Sequence, residues 1–153
     1  MAVAHASFTV SRTYTKSPAV VFRAFSDPAR KRRWFAEGEG STVEDFTTDF
    51  RVGGSERTSF RMAEPPMAGT VITNDTVFMD IVPDQRIVLT YSMSIHGAPM
   101  SVSLATFQFE PADGGTRLTM TEQGCFFDNA DGPVMREEGW GELLDALGRE
   151  VTG

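Results

Sequence analysis

The sequence is poor in residues that bind metals or act as nucleophiles. Cys125 is its single cysteine, and His5 and His96 are its two histidines. A lone cysteine forms no internal disulfide and no thiolate metal cluster. No histidines and carboxylates have the spacing of metal ligands, and no Gly-x-Ser-x-Gly motif is present. We therefore expect no metal, no cofactor and no catalytic residue of these kinds.

Positive charge and long apolar runs are also scarce. Fourteen basic and 21 acidic side chains give a net charge of −7, whereas nucleic acids and anionic membranes attract basic surfaces. No apolar run approaches the ~18 residues that suggest a membrane span. The first residues lack the basic and apolar regions of a signal peptide. The sequence predicts a cytoplasmic protein that binds neither nucleic acid nor membrane.

Aromatic and sulfur-containing side chains are plentiful, with 12 Phe and 8 Met in 153 residues. The length suits one domain, residues 1–153. Such side chains fill protein cores, and they also line pockets for apolar ligands. Composition alone leaves both interpretations open.

A long helix is predicted over residues 133–151, because its apolar residues recur at helical spacing and form one stripe. The stripe consists of Trp140, Leu143, Leu144, Leu147 and Val151. Ser17-Pro18 and Asp27-Pro28 each combine an N-cap residue with proline at the first helical position. They predict two short helices, the second ending near Phe35.

The remaining segments alternate apolar and polar residues between turn signals, which is typical of strands. The predicted strands are 8–14, 41–50, 55–62, 71–82, 86–95, 100–110 and 116–123.

The register of the last two predicted hairpins can be tested by pairing residue types. A four-residue loop at 112–115 pairs Phe109 with Leu118 and Phe107 with Met120, so apolar faces apolar. A four-residue loop at 96–99 pairs Tyr91 with Leu104 but mixes the two faces, which indicates a bulge. The inward face of strand 86–95 is left open.

Six short stretches carry a family resemblance. They are 27–35, 51–54, 80–87, 115–119, 121–124 and 139–147. In this order they resemble the START-like (SRPBCC, birch-pollen-allergen-like) superfamily, and within it the family named for the activator of the heat-shock protein 90 ATPase. The resemblance implies an α+β helix-grip fold: a curved antiparallel sheet of about seven strands wrapped around the C-terminal helix, with two short helices after the first strand. It implies no single activity, since carriers, cyclases and cochaperone domains share this fold.

The expected apolar hollow between sheet and helix is where we place the ligand-binding candidates. They are Phe25, Trp34, Phe35, Phe60, Phe78, Tyr91, Phe107, Met120, Glu122, Phe126, Trp140 and Leu144.

Glu122 is the strongest polar candidate, because it continues the phase of Leu118 and Met120 towards the core. It could bind a ligand or transfer a proton, or it could anchor the strand end structurally. Arg12, Tyr91 and Trp140 are conceivable partners.

The one basic run, 30–33, is expected to form a solvated face, with contact to phosphate or an acidic partner as the alternative.

The predicted function is binding of a small hydrophobic molecule in an internal cavity, without catalysis. One alternative is a cyclase- or hydrolase-type enzyme that uses a cavity carboxylate such as Glu122. The other is a chaperone-interacting module, for which an exposed apolar patch on the outer sheet would be evidence. A protein partner or a homodimer stays open, as do the ligand and the biological process.

Overall fold

The computed structural model describes residues 2–128 and 130–153. In chain order the elements are β1 Ala4–Tyr14, α1 Pro18–Ser26, α2 Pro28–Lys31, a π-helical turn Arg32–Ala36, β2 Ser41–Thr48, β3 Ser55–Met62, β4 Val71–Val82, β5 Arg86–Ile95, β6 Ala98–Ala112, β7 Gly115–Phe126 and α3 Pro133–Thr152.

The seven strands form one antiparallel sheet in the order β1-β7-β6-β5-β4-β3-β2. Successive strands from β2 to β7 are neighbours, and β1 pairs with β7, so β1 and β2 form the two edges. The short helices connect one edge to the other. Helix α3 contacts β1, α1 and the π-helical turn. This is the α+β helix-grip arrangement expected from the resemblance.

The apolar stripe of α3 closes the core as predicted. Trp140, Leu144, Leu147 and Val151 are buried, and Leu143 is partly buried against the same cluster. They meet aromatic side chains from the sheet and from α1, including Phe25 and Phe107. Because burial of apolar area supplies the main driving force of folding, α3 is part of the core and not an appendage.

The caps of the short helices also agree with the sequence. Ser17 accepts a hydrogen bond from Val20 N, and Asp27 accepts from Ala29 N and Arg30 N. The second helical segment, Pro28–Lys31 with the π-helical turn Arg32–Ala36, ends close to Phe35 as predicted. The sequence did not predict that its last turn widens, with Glu37 N donating to Arg32 O at 3.0 Å, an i→i+5 bond.

The register of the β6–β7 hairpin is confirmed, with Phe109 opposite Leu118 and Phe107 opposite Met120.

The predicted register of the β5–β6 hairpin was wrong by one residue. Its turn is only His96-Gly97, both at positive φ, which is the backbone that a two-residue hairpin turn requires. A bulge beside Met93 and Ser94 then shifts the register, so Tyr91 faces Ser103. The structure also shows which face of β5 points inward, because Ile87, Leu89 and Tyr91 are buried.

Candidate functional site

Glu122 lies inside the protein near the end of β7, with 0% of its surface exposed. Its Oε1 accepts hydrogen bonds from Tyr91 Oη at 2.6 Å and Trp140 Nε1 at 2.9 Å. Its Oε2 accepts from Ser103 Oγ at 2.8 Å and from Arg136 Nη1 at 3.4 Å. Four donors from two strands and α3 therefore surround one carboxylate.

Arg136, in the first turns of α3, is the charge partner of this carboxylate. It also donates to both carboxylate oxygens of Asp131 at 2.8 Å and to Ser101 Oγ at 2.8 Å. Burial would lower the pKa of Arg136, but the hydrogen bonds to Asp131 and the nearby acidic groups raise it above the usual value. Arg136 is thus a permanent positive charge between two carboxylates.

Tyr91 completes the network from β5. Burial, together with the charge of Glu122, raises the pKa of Tyr91 well above its usual value. The hydroxyl stays protonated, so it donates to Glu122 while it accepts from Arg136 Nη1 at 3.1 Å and Trp140 Nε1 at 3.2 Å.

Two of the three conceivable partners of Glu122, Tyr91 and Trp140, are confirmed. Arg12 is not a partner, because it lies towards the surface of β1 and pairs with Asp145 at 2.7 Å. Sequence reasoning missed Ser103 and Arg136. Arg136 stands four residues before Trp140, on the same helix face, and that spacing was the available signal. All four hydrogen-bond partners of Glu122 are donors, so its carboxylate links β7 to β5, β6 and α3.

A second buried ion pair joins α2 to β3. Lys31 Nζ lies 3.1 Å from Glu56 Oε2 and 3.3 Å from Oε1, and both residues are almost fully buried. Thr48 Oγ1 donates to Glu56 at 2.9 Å. The ammonium also lies over the rings of Phe35 at 4.5 Å and Trp34 at 5.6 Å, a favourable cation–π geometry.

This pair corrects the prediction of a uniformly solvated basic run at 30–33. Lys31 is buried because its position on α2 faces Glu56, which sequence spacing does not reveal. The three arginines of the run pair with carboxylates of the same chain: Arg30 with Asp27, Arg32 with Glu37 and Arg33 with Glu150. The run is therefore largely neutralised within the protein.

A small internal hollow lies between these two buried networks. Its walls are Phe25, Lys31, Trp34, Phe35, Glu56, Asn74, Thr76, Phe78, Ile87, Leu89, Tyr91, Phe107 and Trp140. The free volume of this hollow is only about 10 Å³. That is room for at most one water molecule.

Seven of the twelve candidate residues line this hollow: Phe25, Trp34, Phe35, Phe78, Tyr91, Phe107 and Trp140. Met120, Glu122, Phe126 and Leu144 are buried elsewhere, and Phe60 is half-buried on β3. The polar wall formed by Lys31, Glu56, Asn74 and Thr76 was missed. The alternation of residues along β3 and β4 places Glu56, Asn74 and Thr76 on the inward face. Because these side chains are polar, the sequence did not suggest that they are buried.

Larger depressions are found on the surface. One of about 630 Å³ runs between β1 and α3 and is lined by acidic side chains such as Glu138 and Asp145. On the outer face of the sheet, Val77, Met79 and Val102 are each 41–53% exposed, but Thr90 and Ser92 lie among them.

Within the described part of the chain, no three His, Cys, Asp or Glu side chains are grouped to hold a metal ion. Among the same residues, no helix combines the length and apolar character needed to cross a membrane.

The fold, with its last helix anchored by Glu122 and a hollow beneath the short helices, defines a START-like protein. The sequence profile of the family described as "Activator of Hsp90 ATPase homolog 1-like protein" matches residues 15–152. The chain belongs to that family. No curated protein matches it significantly.

Solved structures extend this relationship. The chain is similar to Mll3558 from Rhizobium loti, with 48% identity, a TM-score of 0.86 and coverage of 98% of this chain and 99% of that one. It is 35% identical to a putative uncharacterized protein from Rhizobium leguminosarum, with a TM-score of 0.90 and coverage of 99% and 97%. CV1439 from Chromobacterium violaceum, at 24% identity, a TM-score of 0.79 and coverage of 96% and 97%, shares the fold.

Proposed function

We propose that the protein binds a small hydrophobic molecule in the hollow beneath α1, α2 and the π-helical turn, without catalysing a reaction. The observation that carries this proposal is the composition of the walls. Both tryptophans of the chain, Trp34 and Trp140, meet there with three phenylalanines of the core and with Phe35. An apolar, aromatic lining with a few polar groups at one side is typical of small-molecule sites.

The present volume requires the walls to move before a ligand enters. We expect the π-helical turn to move, because it is a single turn that carries both Trp34 and the half-buried Phe35. Isolated π-turns are rare and often occur at functional sites. Outward displacement of Phe35 would enlarge the hollow while β4, β5 and α3 stay in place.

The enzyme alternative has less support. Its candidate carboxylate, Glu122, accepts four hydrogen bonds and does not line the hollow. A general acid or base must reach the substrate within hydrogen-bond distance, and Glu122 is separated from the hollow by Tyr91 and Trp140.

Thermal unfolding in the presence of a broad library of small apolar molecules tests the proposal. A ligand that binds only the folded protein at about 100 times its Kd stabilises it by roughly 2.7 kcal/mol, which raises Tm by roughly 5–10 °C. Fluorescence should change in the same titration, since Trp34 and Trp140 both line the hollow. Native mass spectrometry of freshly purified protein should reveal a co-purified small molecule.

A matched pair of variants locates the binding. Ile87→Phe adds volume inside the hollow and should abolish stabilisation by the same ligands. Val134→Phe makes a similar change at a position that is 71% exposed, and it should leave the stabilisation by these ligands intact. Unaltered ligand response in Ile87→Phe would place the binding elsewhere. Failure of every library member to stabilise the wild-type protein would contradict the proposal.

A second candidate is a chaperone-interacting module, and one observation favours it. The exposed apolar side chains of Val77, Met79 and Val102 share the outer face of the sheet. The test is whether the purified protein stimulates an Hsp90-type ATPase and whether Val102→Asp removes the effect. The neutralised basic run argues that any such contact would use this apolar face.

A further inference from the structure

We propose that Lys31 is the polar recognition group of the hollow and that it selects ring-shaped ligands carrying a neutral carbonyl oxygen. This inference rests on the proposed function and specifies its ligand class. The observation behind it is a lysine that is 4% exposed and lies in the polar wall of the hollow, in contact with aromatic rings.

The Lys31 ammonium has hydrogen-bonding capacity left for a ligand. It carries three N–H donors, and in the described structure its hydrogen bonds go only to the carboxylate of Glu56. Its other neighbours are aromatic faces: Phe35 at 4.5 Å, Trp34 at 5.6 Å and Phe25 at 5.7 Å. A ring inserted among these faces would bring its substituent next to Nζ.

The opposite end of the hollow has no comparable capacity. Tyr91 Oη already donates to Glu122 and accepts from Arg136 and Trp140. Trp140 Nε1 is shared between Glu122 and Tyr91. These groups therefore offer an apolar ring face to a ligand, and a polar atom of the ligand would be recognised at the polar wall that contains Lys31, Asn74 and Thr76. Thr76 Oγ1 already donates to Asn74 Oδ1 at 3.0 Å, and Lys31 is the charged donor of this wall.

Charge decides which acceptor oxygen is suitable. Lys31 and Glu56 together are neutral, so a neutral carbonyl can accept from Lys31 without changing the buried charge. A ligand carboxylate would add an unbalanced negative charge close to Glu56, and burying such a charge is costly. The site should therefore rank ketone above hydrocarbon, and hydrocarbon above carboxylate.

Three probes of nearly equal shape test this ranking: acetophenone, α-methylstyrene and benzoate. They share a phenyl ring and differ in the group attached to it, which is acetyl, isopropenyl or carboxylate. In the wild-type protein, acetophenone should bind about tenfold more tightly than α-methylstyrene, since a hydrogen bond from a charged donor contributes about that factor. Benzoate should bind most weakly.

Two variants separate recognition from a structural effect. Lys31→Met should bind acetophenone and α-methylstyrene equally, since it keeps an unbranched side chain only one atom shorter and removes the donor. Glu56→Gln leaves the Lys31 charge without its partner, so benzoate should become the tightest probe, gaining about tenfold or more over its wild-type affinity. Lys16→Met, at an exposed position, is the matched control and should keep the wild-type ranking.

The double variant Lys31→Met/Glu56→Leu covers the case in which a single variant fails to fold, because it removes both charges together and introduces no new N–H donor. It too should bind ketone and hydrocarbon equally. A ketone preference that survives in Lys31→Met or in the double variant would overturn this inference. Equal binding of ketone and hydrocarbon by the wild-type protein would also overturn this inference, but it would leave the proposed function intact. If none of the probes binds and the apolar library also fails, both are overturned.

Discussion

Trp140 Nε1 donates a hydrogen bond of 2.9 Å to Glu122 Oε1, which ties the C-terminal helix to the last strand inside the core. Arg136, one turn earlier, reaches the other oxygen of the same carboxylate. Two contacts a helical turn apart fix both the position and the rotation of α3 over the sheet. One wall of the hollow, formed by Trp140 and Tyr91, is therefore rigid, whereas the wall that carries Lys31 and Phe35 is a short helix and a single turn.

Glu122→Gln should destabilise the protein by about 2–4 kcal/mol, because Arg136 loses a buried charge partner and one donor faces an amide N–H₂. Asp131 still compensates Arg136, which limits the loss. Chemical denaturation measures the change in the free energy of unfolding. The control is Glu44→Gln, whose partner Arg61 is exposed, with an expected loss below ~0.5 kcal/mol. Equal losses for both variants would mean that Glu122 does not anchor α3.

Leu144→Ala and Leu147→Ala should each cost about 2–5 kcal/mol, because both side chains are fully buried in the core and leave cavities. Val134→Ala, on the exposed side of the same helix, should change the free energy of unfolding by less than ~0.5 kcal/mol. Losses below ~0.5 kcal/mol for both leucine variants would show that α3 does not close the core.

Both tyrosines should resist ionisation in the folded protein. Burial raises the pKa of Tyr91 and of Tyr14 well above the ordinary value of 10.0. At about pH 11 the native protein should show little phenolate absorbance, whereas the protein in denaturant should be largely ionised. A native titration centred near the ordinary value would contradict the buried environment of both hydroxyls.

The same shift predicts how stability depends on pH. Tyr91 has a raised pKa in the folded state, so its contribution is complete below the unfolded value of 10.0 and is lost as pH rises above it. Stability should fall by up to about 1.4 kcal/mol per pH unit for this group in that range. Denaturation curves recorded on both sides of that value measure the slope.

Lys31 should be protected from amine-reactive reagents in the native protein, because its ammonium is enclosed by Glu56 and three aromatic rings. Lys16, the other lysine of the sequence, is exposed and should react readily. Peptide mass spectrometry after brief labelling compares the two sites. Similar labelling of both lysines would show that the Lys31–Glu56 pair is open in solution.

Local patterns were sufficient to predict most of the fold. The stripe from Trp140 to Val151 needed only helical periodicity, and the β6–β7 register followed from matching Phe109 with Leu118. The β5–β6 register failed because its turn has two residues instead of the predicted four. The bulge beside Met93 and Ser94, which the mixed faces had indicated, offsets only one of the two positions of that shift.

The candidate site was less predictable, because its polar groups come from distant parts of the chain. Lys31 and Glu56 are 25 residues apart, and Glu122 and Arg136 belong to different elements. Aromatic candidates were found by residue type, and seven of them do line the hollow. Composition did not reveal that buried charges face one another across the sheet and helices, since that depends on tertiary contacts.

The most direct measurement of the central claim is nuclear magnetic resonance of the indole Nε1–H groups of Trp34 and Trp140 during titration with acetophenone and with α-methylstyrene. Both side chains line the hollow, and both donate defined hydrogen bonds, to Ala24 O and to Glu122. The account predicts saturable shifts of both indole signals with at least one probe. It would be contradicted if neither probe moved either indole signal while backbone signals around Val77 and Val102 on the outer face shifted.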